Sequence, residues 1–334
     1  MIRVGIVGYG YWGPNLVRNF SASPKTEVVA VCDRSAAQLE RVRALYPAVD
    51  LTTDPAELVA RPDIDAIVIA TPVATHFELA MAALRAGKHV WVEKPIASTA
   101  DQARQMIDEA DRRGKVLLVD HTFVYTGAVR KMKELVHAAD FGDVRYYDST
   151  RVNLGLFQQD VNVLWDLAVH DLSIMAFVLG QEPRAVSATG HRHLPAQPEY
   201  AAFLTVFFDD MIGHVNVNWL SPVKIRRTLV GGTTKMIVYD DLETSEKIKL
   251  YDKGITVTET PEDVRRLLVS YRSGDLWSPK IDESVALGVE VAHFAACIAG
   301  AETPISGGDS GLQLVRILEA ADRSLAARGA PVDL

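Results

Sequence analysis

The chain has 334 residues, of which 48% are hydrophobic and 23% are charged, a composition that supplies the core of an ordinary globular protein. Its length suits two domains. The net charge of −8 and the pI of about 5.6 argue against nucleic acid as the main partner. No apolar run reaches the roughly 18 residues of a membrane span, and the chain starts without a basic leader or cleavage site. We therefore expect a cytoplasmic protein with no membrane partner.

The chain contains two cysteines, Cys32 and Cys297, which lie far apart in the sequence. Two residues at this separation provide neither the spacing of a zinc site nor a disulfide framework. Both stand in apolar runs, so we expect buried thiols, and no motif predicts a bound metal.

The first third of the sequence alternates short apolar segments with helix-like segments. The apolar segments are rich in β-branched residues and have the length of strands buried on both faces of a parallel sheet. Asp54-Pro55 and Ser98 or Thr99 are typical of helix starts, whereas Gly87 and Gly114 are typical of helix ends. The pattern predicts a doubly wound α/β sheet. Its six strands are expected at residues 2–8, 27–33, 49–52, 66–71, 89–93 and 115–120, with helices at 35–46, 76–86 and 99–113.

The pattern changes after about residue 120. Strand-like runs follow one another with little helix between them, which favours an antiparallel or mixed sheet. We predict a Rossmann domain at residues 1–122 and an α+β domain with an open-faced, mostly antiparallel sheet at 123–334. Strands are expected at 143–154, 184–191, 201–209, 212–219, 224–231 and 234–239, and helices at 126–139, 165–179, 283–298 and 310–327.

The most specific motif is a glycine-rich turn directly after the first strand. Gly8, Gly10 and Gly13 fit the pattern G-x-G-x-x-G, with Tyr11 and Trp12 in the same turn. In this motif the first glycine permits the turn, the second lets the backbone approach a pyrophosphate, and the third lets the helix pack closely on the strand. The free N–H groups of the following helix favour an anion. The turn therefore predicts a dinucleotide site.

The second strand ends in Asp33, 20 residues after Gly13, which is the spacing of the acid that binds the adenosine ribose. A carboxylate there repels a 2′-phosphate, so we expect NAD to bind at least about tenfold more tightly than NADP. The neighbouring Arg34 leaves an alternative open, because an arginine at this position can receive that phosphate or lie over the adenine.

Further cofactor contacts are expected where later strands end, since ligands bind at the carboxyl edge of an open α/β sheet. Thr71 and Pro72 follow the fourth strand, and Glu93 and Lys94 end the fifth. A lysine at that edge would point towards the nicotinamide. Thr75, His76 and His121 are the remaining candidates in these loops, and His76 could instead serve only as a helix start.

The ordered set of motifs resembles the Gfo/Idh/MocA family, which includes glucose–fructose oxidoreductase and inositol dehydrogenase. The resemblance is carried by the glycine-rich turn, the acid after strand two, Glu93-Lys94-Pro95, and Asp166-x-x-x-His170. It covers the whole chain and implies a Rossmann domain followed by a larger sheet that holds the substrate and often the oligomer contacts. It also implies a catalytic set of Lys94, Asp166 and His170.

These residue types suit the oxidation of a secondary alcohol. An imidazole titrates near neutral pH, so His170 is the natural general base, and Lys94 can stabilise the developing alkoxide. His170 takes a place that tyrosine fills in some sugar ketoreductases of the family. Asp166 lies four residues before it and on a helix would share its face, where it could bind substrate or orient the histidine. Two other interpretations of the pair are a pair of metal ligands and a purely structural contact.

The resemblance implies a carbohydrate-like substrate: a sugar, a nucleotide sugar oxidised at C3, or a cyclitol. Alternatives are an NAD-dependent glycoside hydrolase that works by oxidation and elimination, and a non-catalytic NAD-binding regulator. We expect a homodimer or homotetramer formed through the C-terminal sheet. Residues that could line the substrate cavity are Tyr125, Arg151, Asn153, Trp219, Lys224 and Trp277.

Overall fold

The computed structural model describes residues 1–155, 161–193, 197–256, 270–272 and 274–334. The chain separates into two compact units. The first contains Met1–Tyr125 and Ser284–Arg316, and the second contains Thr126–Glu283 and Ile317–Leu334. The domains at 1–122 and 123–334 stay a prediction. The compact units are divided differently, because the late segment Ser284–Arg316 belongs to the first unit.

The first unit contains a six-stranded parallel sheet in the order β3-β2-β1-β4-β5-β6, which is the strand order of a dinucleotide-binding Rossmann fold. The two central strands of this sheet are buried along most of their length, as their continuous apolar sequences predict. The strands are β1 (Ile2–Val7), β2 (Thr26–Cys32), β3 (Asp50–Thr52), β4 (Ala66–Ile69), β5 (His89–Glu93) and β6 (Leu117–Asp120). The helices are α1 (Gly13–Ala22), α2 (Ala36–Leu45), α3 (Pro55–Ala60), α4 (His76–Arg85) and α5 (Ala100–Arg113).

Helix boundaries in this unit follow the capping signals of the sequence. The Asp54 carboxylate accepts a hydrogen bond from the Ala56 N–H at the start of α3, and the Thr99 hydroxyl accepts one from the Gln102 N–H at the start of α5. Gly114 ends α5 with φ +60°, in the left-handed region that favours glycine. These predicted helix starts and ends are confirmed.

A helix from near the end of the chain, α8 (Ala286–Ile298), completes the core of the first unit. Its Phe294 packs edge-to-face on Trp91 of β5, with ring centroids 5.5 Å apart, and Trp91 packs on Phe20 of α1 at 5.2 Å. All three side chains are fully buried. The aromatic cluster therefore ties two distant parts of the sequence into one core.

The second unit is built on a nine-stranded mixed sheet in the order β16-β13-β12-β11-β7-β10-β9-β8-β17. β10 and β7 run parallel, whereas the other neighbouring pairs are antiparallel, which confirms a mostly antiparallel sheet. A separate pair, β14 (Gly254–Thr256) and β15 (Ser270–Arg272), lies outside it. The sheet strands are β7 (Val144–Leu154), β8 (Ala185–His191), β9 (Ala201–Phe207), β10 (Ile212–Asn218), β11 (Leu220–Gly232), β12 (Met236–Asp240), β13 (Ile248–Tyr251), β16 (Leu276–Trp277) and β17 (Val332–Asp333).

The helices of this unit are α6 (Gly127–Val136), α7 (Val169–Leu179) and the second half of α9 (Gly308–Ala326), and a π-helical segment, Leu164–Ala168, precedes α7. Residues alternate along the sheet strands, so Leu204 and Val206 of β9 are buried while Phe203 is 52% exposed. One face of the sheet is therefore core and the other is open.

Cys32 and Cys297 are free thiols and both are buried, as predicted. Burial raises the pKa of each thiol to about 11. Among the residues that the structure describes, no helix is both long and apolar enough to cross a membrane.

The aromatic cluster leads to a stability prediction. Phe294→Ala removes a fully buried ring that joins α8 to β5, and we expect the free energy of unfolding of the first unit to fall by about 3–5 kcal/mol. Val285→Ala, at a position 67% exposed just before the same helix, should change it by less than about 0.5 kcal/mol. Urea unfolding followed by circular dichroism measures both. Equal stability of the two variants would contradict the proposed role of the cluster.

Candidate active site

The glycine-rich turn connects β1 to α1 at the carboxyl edge of the first sheet. Gly8 has φ +101°, and a Cβ at this position would lie 2.4 Å from the carbonyl oxygen of Ala70 at the end of β4. A Cβ on Gly13 would lie 2.4 Å from the carbonyl oxygen of Gly8. Gly10 differs, because a Cβ there would meet no protein atom within 4 Å. Gly8 and Gly13 are thus required by the fold, whereas Gly10 borders open space.

Asp33 holds this turn in place through its carboxylate. Oδ2 accepts a hydrogen bond from the Tyr9 N–H at 2.7 Å, and Oδ1 accepts one from the Ser35 N–H at 2.8 Å. The predicted ribose acid therefore also links the end of β2 to the glycine-rich turn. Its neighbour Arg34 is exposed, and Tyr11 is 91% exposed.

Trp12 links the same turn to the far side of the sheet edge. Its indole N–H donates to Oδ2 of Asp120, the last residue of β6, at 3.0 Å. The Thr122 hydroxyl donates to the other oxygen of Asp120 at 2.5 Å. The Asp120 side chain was not among the predicted site residues. Its position at a strand end on the same edge as Asp33 and Glu93 was the signal that could have identified it.

The loop after β4 is held by its own polar side chains. The hydroxyls of Thr71 and Thr75 lie 2.7 Å apart, and Thr75 donates to the carbonyl oxygen of Pro72 at 2.8 Å. His76 is buried at the start of α4, with Nδ1 2.8 Å from the Pro95 carbonyl oxygen and Nε2 2.8 Å from that of Thr71. Burial and the nearby Lys94 ammonium lower the pKa of His76. Both ring nitrogens contact the protein, so the visible role of His76 is to tie the ends of β4 and β5 together.

Lys94 follows β5 and precedes a cis peptide bond to Pro95. It is half-buried, beside the buried carboxyl of Glu93. His121, directly after β6, is 2% exposed, and neither of its ring nitrogens has a hydrogen-bond partner among the described residues. Burial, aided by the charge of Lys94, lowers the pKa of His121 to about 4, so the ring is neutral at physiological pH.

In the second unit, Asp166 lies in the π-helical segment rather than on the regular helix that was predicted from residue 165. The α-helix begins only at Val169 and contains His170 in its first turn. Oδ2 of Asp166 accepts a hydrogen bond from the indole N–H of the buried Trp219 at 2.9 Å. π-Helical turns are rare and often occur at functional sites, and sequence spacing does not reveal them.

The start of the π-helical segment is anchored by Asn162 and Asp322. Oδ1 of Asn162 accepts hydrogen bonds from the N–H groups of Leu164 and Trp165, at 3.1 and 3.3 Å. Asp322 of α9 accepts from the Asn162 amide at 2.8 Å and from the Trp165 indole at 2.7 Å. Neither anchor was predicted, because they are 160 residues apart in sequence.

The predicted substrate residues occupy different environments. Arg151 is buried and pairs with Asp171 of α7 at 2.5 Å, so its visible contact is internal to the fold. The hydroxyl of the buried Tyr125 lies 2.9 Å from that of Ser306 in the first unit. Asn153 is half-buried on β7. Of the further candidates, Trp219 is buried against Asp166, whereas Lys224 and Trp277 are exposed.

The first unit fits a dinucleotide on its own geometry. Space is open beside Gly10, and α1 begins without a side-chain cap, although its second residue is Pro14 and the Asn15 N–H already donates to the Trp12 carbonyl oxygen. The positive end of the helix dipole favours an anion at this position. The unpartnered nitrogens of His121 lie at the same sheet edge and are suited to a polar ligand group. Among the described residues, no cluster of three or more His, Cys, Asp or Glu side chains has the arrangement of a metal site.

Comparison with known families agrees with this geometry. Residues 2–121 match the model described as "Oxidoreductase family, NAD-binding Rossmann fold", and residues 129–238 match the "GFO/IDH/MocA C-terminal domain". The chain belongs to the Gfo/Idh/MocA family. It is accordingly an NAD-binding oxidoreductase, as the motifs predicted.

Two curated members of the Gfo/Idh/MocA family illustrate the range of relatives. The chain is 31% identical over 197 residues to UDP-N-acetylglucosamine 3-dehydrogenase of Acidithiobacillus ferrooxidans, covering 57% of this chain and 58% of the relative. It is 25% identical over 318 residues to scyllo-inositol 2-dehydrogenase (NAD(+)) of Bacillus subtilis, covering 91% and 88%. The chain spans less than two thirds of the length of several other curated relatives.

A solved structure has the same fold over the whole chain. The crystal structure of GenD2 from gentamicin A biosynthesis, in complex with NAD, matches with a TM-score of 0.83 and 25% identity. The match covers 100% of this chain and 96% of GenD2.

Substitutions of Gly8 and Gly10 should distinguish an effect on stability from an effect on NAD binding. Gly8→Ala places a Cβ against the Ala70 carbonyl oxygen at a positive φ, and should cost at least roughly 1–2 kcal/mol of stability. Gly10→Ala adds a Cβ in open space, so stability should change by less than about 0.5 kcal/mol while the Kd for NAD rises about tenfold.

Urea unfolding without cofactor and fluorescence titration with NAD measure the two effects. An unchanged Kd in Gly10→Ala would show that the dinucleotide does not approach the backbone at this glycine.

Proposed function

We propose that the enzyme oxidises a secondary hydroxyl of a sugar, nucleotide sugar or cyclitol, or reduces the corresponding ketone. The observation that supports this most is the complete ordered set of Lys94, Asp166 and His170 in a member of the Gfo/Idh/MocA family. Two relatives are named as dehydrogenases of a nucleotide sugar at position 3 and of an inositol at position 2. A nucleotide-activated or free hexose oxidised at C3 is our preferred substrate class.

Oxidation of a secondary alcohol removes a hydride from carbon and a proton from oxygen. When bound, the nicotinamide supplies the hydride acceptor. We assign proton transfer to His170, because an imidazole exchanges protons near neutral pH. His76 and His121 are poorer candidates for this step, since burial lowers the pKa of both.

Lys94 is assigned to the developing alkoxide, to which an ammonium group donates a hydrogen bond and positive charge. Asp166 is assigned to a neighbouring substrate hydroxyl. The indole of Trp219 orients its carboxylate, and the π-helical segment that carries it is anchored at Asn162. Asp33 receives the adenosine ribose, where its negative charge favours NAD over NADP. Thr71, Pro72 and His121 are retained as cofactor contacts, and Asn153 as a substrate contact.

The substrate class is tested by following NADH absorbance with a panel of sugars, inositols and nucleotide sugars. Net NADH formation with one of these alcohols is the expected result. A glycoside hydrolase that oxidises transiently would release product from glycosides without net NADH. A regulator would bind NAD and turn over none of the panel.

The assigned residues lead to a prediction for turnover. His170→Ala and Lys94→Ala should each lower kcat by about 10²–10⁴-fold while the Kd for NAD stays nearly unchanged. The double variant should be little worse than the poorer single variant, because the two groups act on the same proton transfer. The rate of oxidation should rise through one ionisation near neutral pH in the wild type and lose this step in His170→Ala.

His193→Ala and Lys25→Ala, which change exposed residues outside the assigned set, serve as matched controls. Stopped-flow and steady-state assays across pH measure these effects. If His170→Ala kept wild-type turnover and the same pH profile, His170 would not be the general base, and Lys94 would become the leading candidate.

We also propose that the open face of the nine-stranded sheet forms a homodimer or homotetramer. Phe203 is 52% exposed and Ile212 is 45% exposed on neighbouring strands, and the Phe203 ring stacks on His214 with centroids 6.2 Å apart. Exposed apolar side chains grouped on one face are typical of an interface.

The assembly proposal predicts a change in oligomeric state. Phe203→Glu places a charge on the open face and should shift the protein towards the monomer. Leu45→Glu, at an exposed apolar position of the first unit, should leave the mass unchanged. Light scattering at micromolar concentration measures both, and a monomeric wild type would contradict the proposal.

A further inference from the structure

Three carboxyl groups meet in the interior of the first unit. Glu93 and Asp120 end the adjacent strands β5 and β6 and are direct neighbours in the sheet register, so their side chains lie on the same face. Glu290 of α8 is 0% exposed and adjoins Asp120. Within the described part of the chain, no lysine or arginine forms an ion pair with any of the three, although the charge of Lys94 acts on Glu93 from the next position.

Three adjacent buried carboxylates cannot all keep their charge, because each would be desolvated and would repel the others. Asp120 is the member equipped to be the anion, since the Trp12 indole and the Thr122 hydroxyl both donate to it. No donor side chain of the described residues reaches either oxygen of Glu290, although the backbone N–H of His121 favours its charged form. Burial and the neighbouring Asp120 raise the pKa of both Glu93 and Glu290 well above 4.5.

A protonated Glu290 has one O–H to donate, and the adjacent Asp120 carboxylate is its acceptor. Glu93 stands in the same relation to Asp120. The cluster thereby connects the glycine-rich turn, through Trp12, with the residue that precedes Lys94. The Asp120 carboxylate thus links the glycine-rich turn on one side of the sheet edge with the Glu93-Lys94 segment on the other.

We propose that Glu290 is a positioning residue for the nucleotide site, in which it acts as a neutral acid that donates to Asp120 and so fixes the acceptor of the Trp12 indole. The proposal concerns the NAD-binding unit alone and holds whichever substrate the enzyme takes. It also gives α8 a role in cofactor binding, although that helix follows the glycine-rich turn by about 270 residues in sequence.

The proposal is tested by two substitutions that differ only in the ability to donate. Glu290→Gln keeps the shape and one N–H donor without an ionisable group, whereas Glu290→Leu removes the donor. The Kd for NAD, measured by fluorescence titration, should stay within about threefold of wild type in Glu290→Gln and rise about tenfold in Glu290→Leu. Equal weakening in both variants would mean that a charged carboxylate is required, and equal retention would mean that Glu290 does not position the site.

Infrared spectroscopy tests the protonation state directly, even if Glu290→Leu does not fold. The wild type at neutral pH should show the carbonyl stretch of protonated carboxylic acid above the amide I band. Glu290→Gln should lose part of that band. Glu109→Gln is the matched control, because the buried Glu109 is ionised between Arg112 and Arg113 and its removal should leave the band unchanged. A wild-type spectrum without the band would overturn the proposal.

Stability as a function of pH gives a third measurement. A carboxyl whose pKa is raised on folding binds its proton more tightly in the folded state, so the contribution to stability is complete below pH 4.5 and falls as the pH rises towards the folded pKa. Above pH 4.5 the folding equilibrium constant should therefore fall up to about tenfold more per pH unit in the wild type than in Glu290→Gln. Parallel curves would contradict a neutral Glu290.

The difference in the pH dependence of stability between the wild type and Glu290→Gln can be assigned to the carboxyl cluster, because the other groups that face Glu290 do not change charge in this pH range. Its raised pKa keeps Tyr125 neutral, and burial lowers the pKa of His121 to about 4, so neither changes charge between about pH 5 and 9. Glu93 also has a raised pKa and acts on Glu290, so the difference between the two curves reports the loss of Glu290 from a coupled pair of glutamates. The titratable or charged groups around Glu290 are Asp120, Glu93, Tyr125 and His121, with Lys94 acting through Glu93.

Discussion

The contact between Gly8 and the Ala70 carbonyl oxygen is the constraint on which the dinucleotide site at the carboxyl edge of the parallel sheet depends. It brings the end of β1 against the end of β4 so closely that no side chain fits between them. The turn that leaves β1 is then held on one side by Asp33 and on the other by the bond from Trp12 to Asp120. Because all six strands are parallel, their carboxyl ends meet at one edge, and residues from the ends of β2, β4 and β6 reach the turn that leaves β1.

The two units use buried charge in different ways. In the second unit, Arg151 and Asp171 form a buried ion pair in which each charge compensates the other. In the first unit, buried carboxyl groups gather without an arginine or lysine ion pair among the described residues, so protons must take the place of a cation. The charges of the Arg151–Asp171 pair compensate each other without a proton. The carboxyl cluster needs bound protons, so its contribution to stability depends on pH.

The two units have different architectures, and each suits a different role. In the first unit, the carboxyl ends of the parallel strands and the N-terminus of α1 lie at one edge, an arrangement that suits a dinucleotide. The mixed sheet presents a broad surface, with Asp166 held by Trp219 on an irregular helical turn. Such a turn places a side chain where a regular helix would not, and it persists because Asn162, Trp165 and Asp322 bond to one another around it.

The sequence by itself determined the Rossmann sheet, the six strand positions, the dinucleotide turn and its acid, because each rests on local features: periodicity, glycine spacing and capping residues. It also indicated the mostly antiparallel second sheet. It did not indicate the short strands β13, β16 and β17, because they have too few residues to form a pattern. Each of them forms by pairing with a neighbouring strand of the sheet. The position of Asp120 at a strand end indicated a place at the sheet edge, but nothing in the sequence near Glu290 marks it as a neighbour of Asp120. Only the tertiary structure, by packing α8 beneath β5 and β6, decided that three carboxyl groups would share one interior and that protons would have to separate their charges.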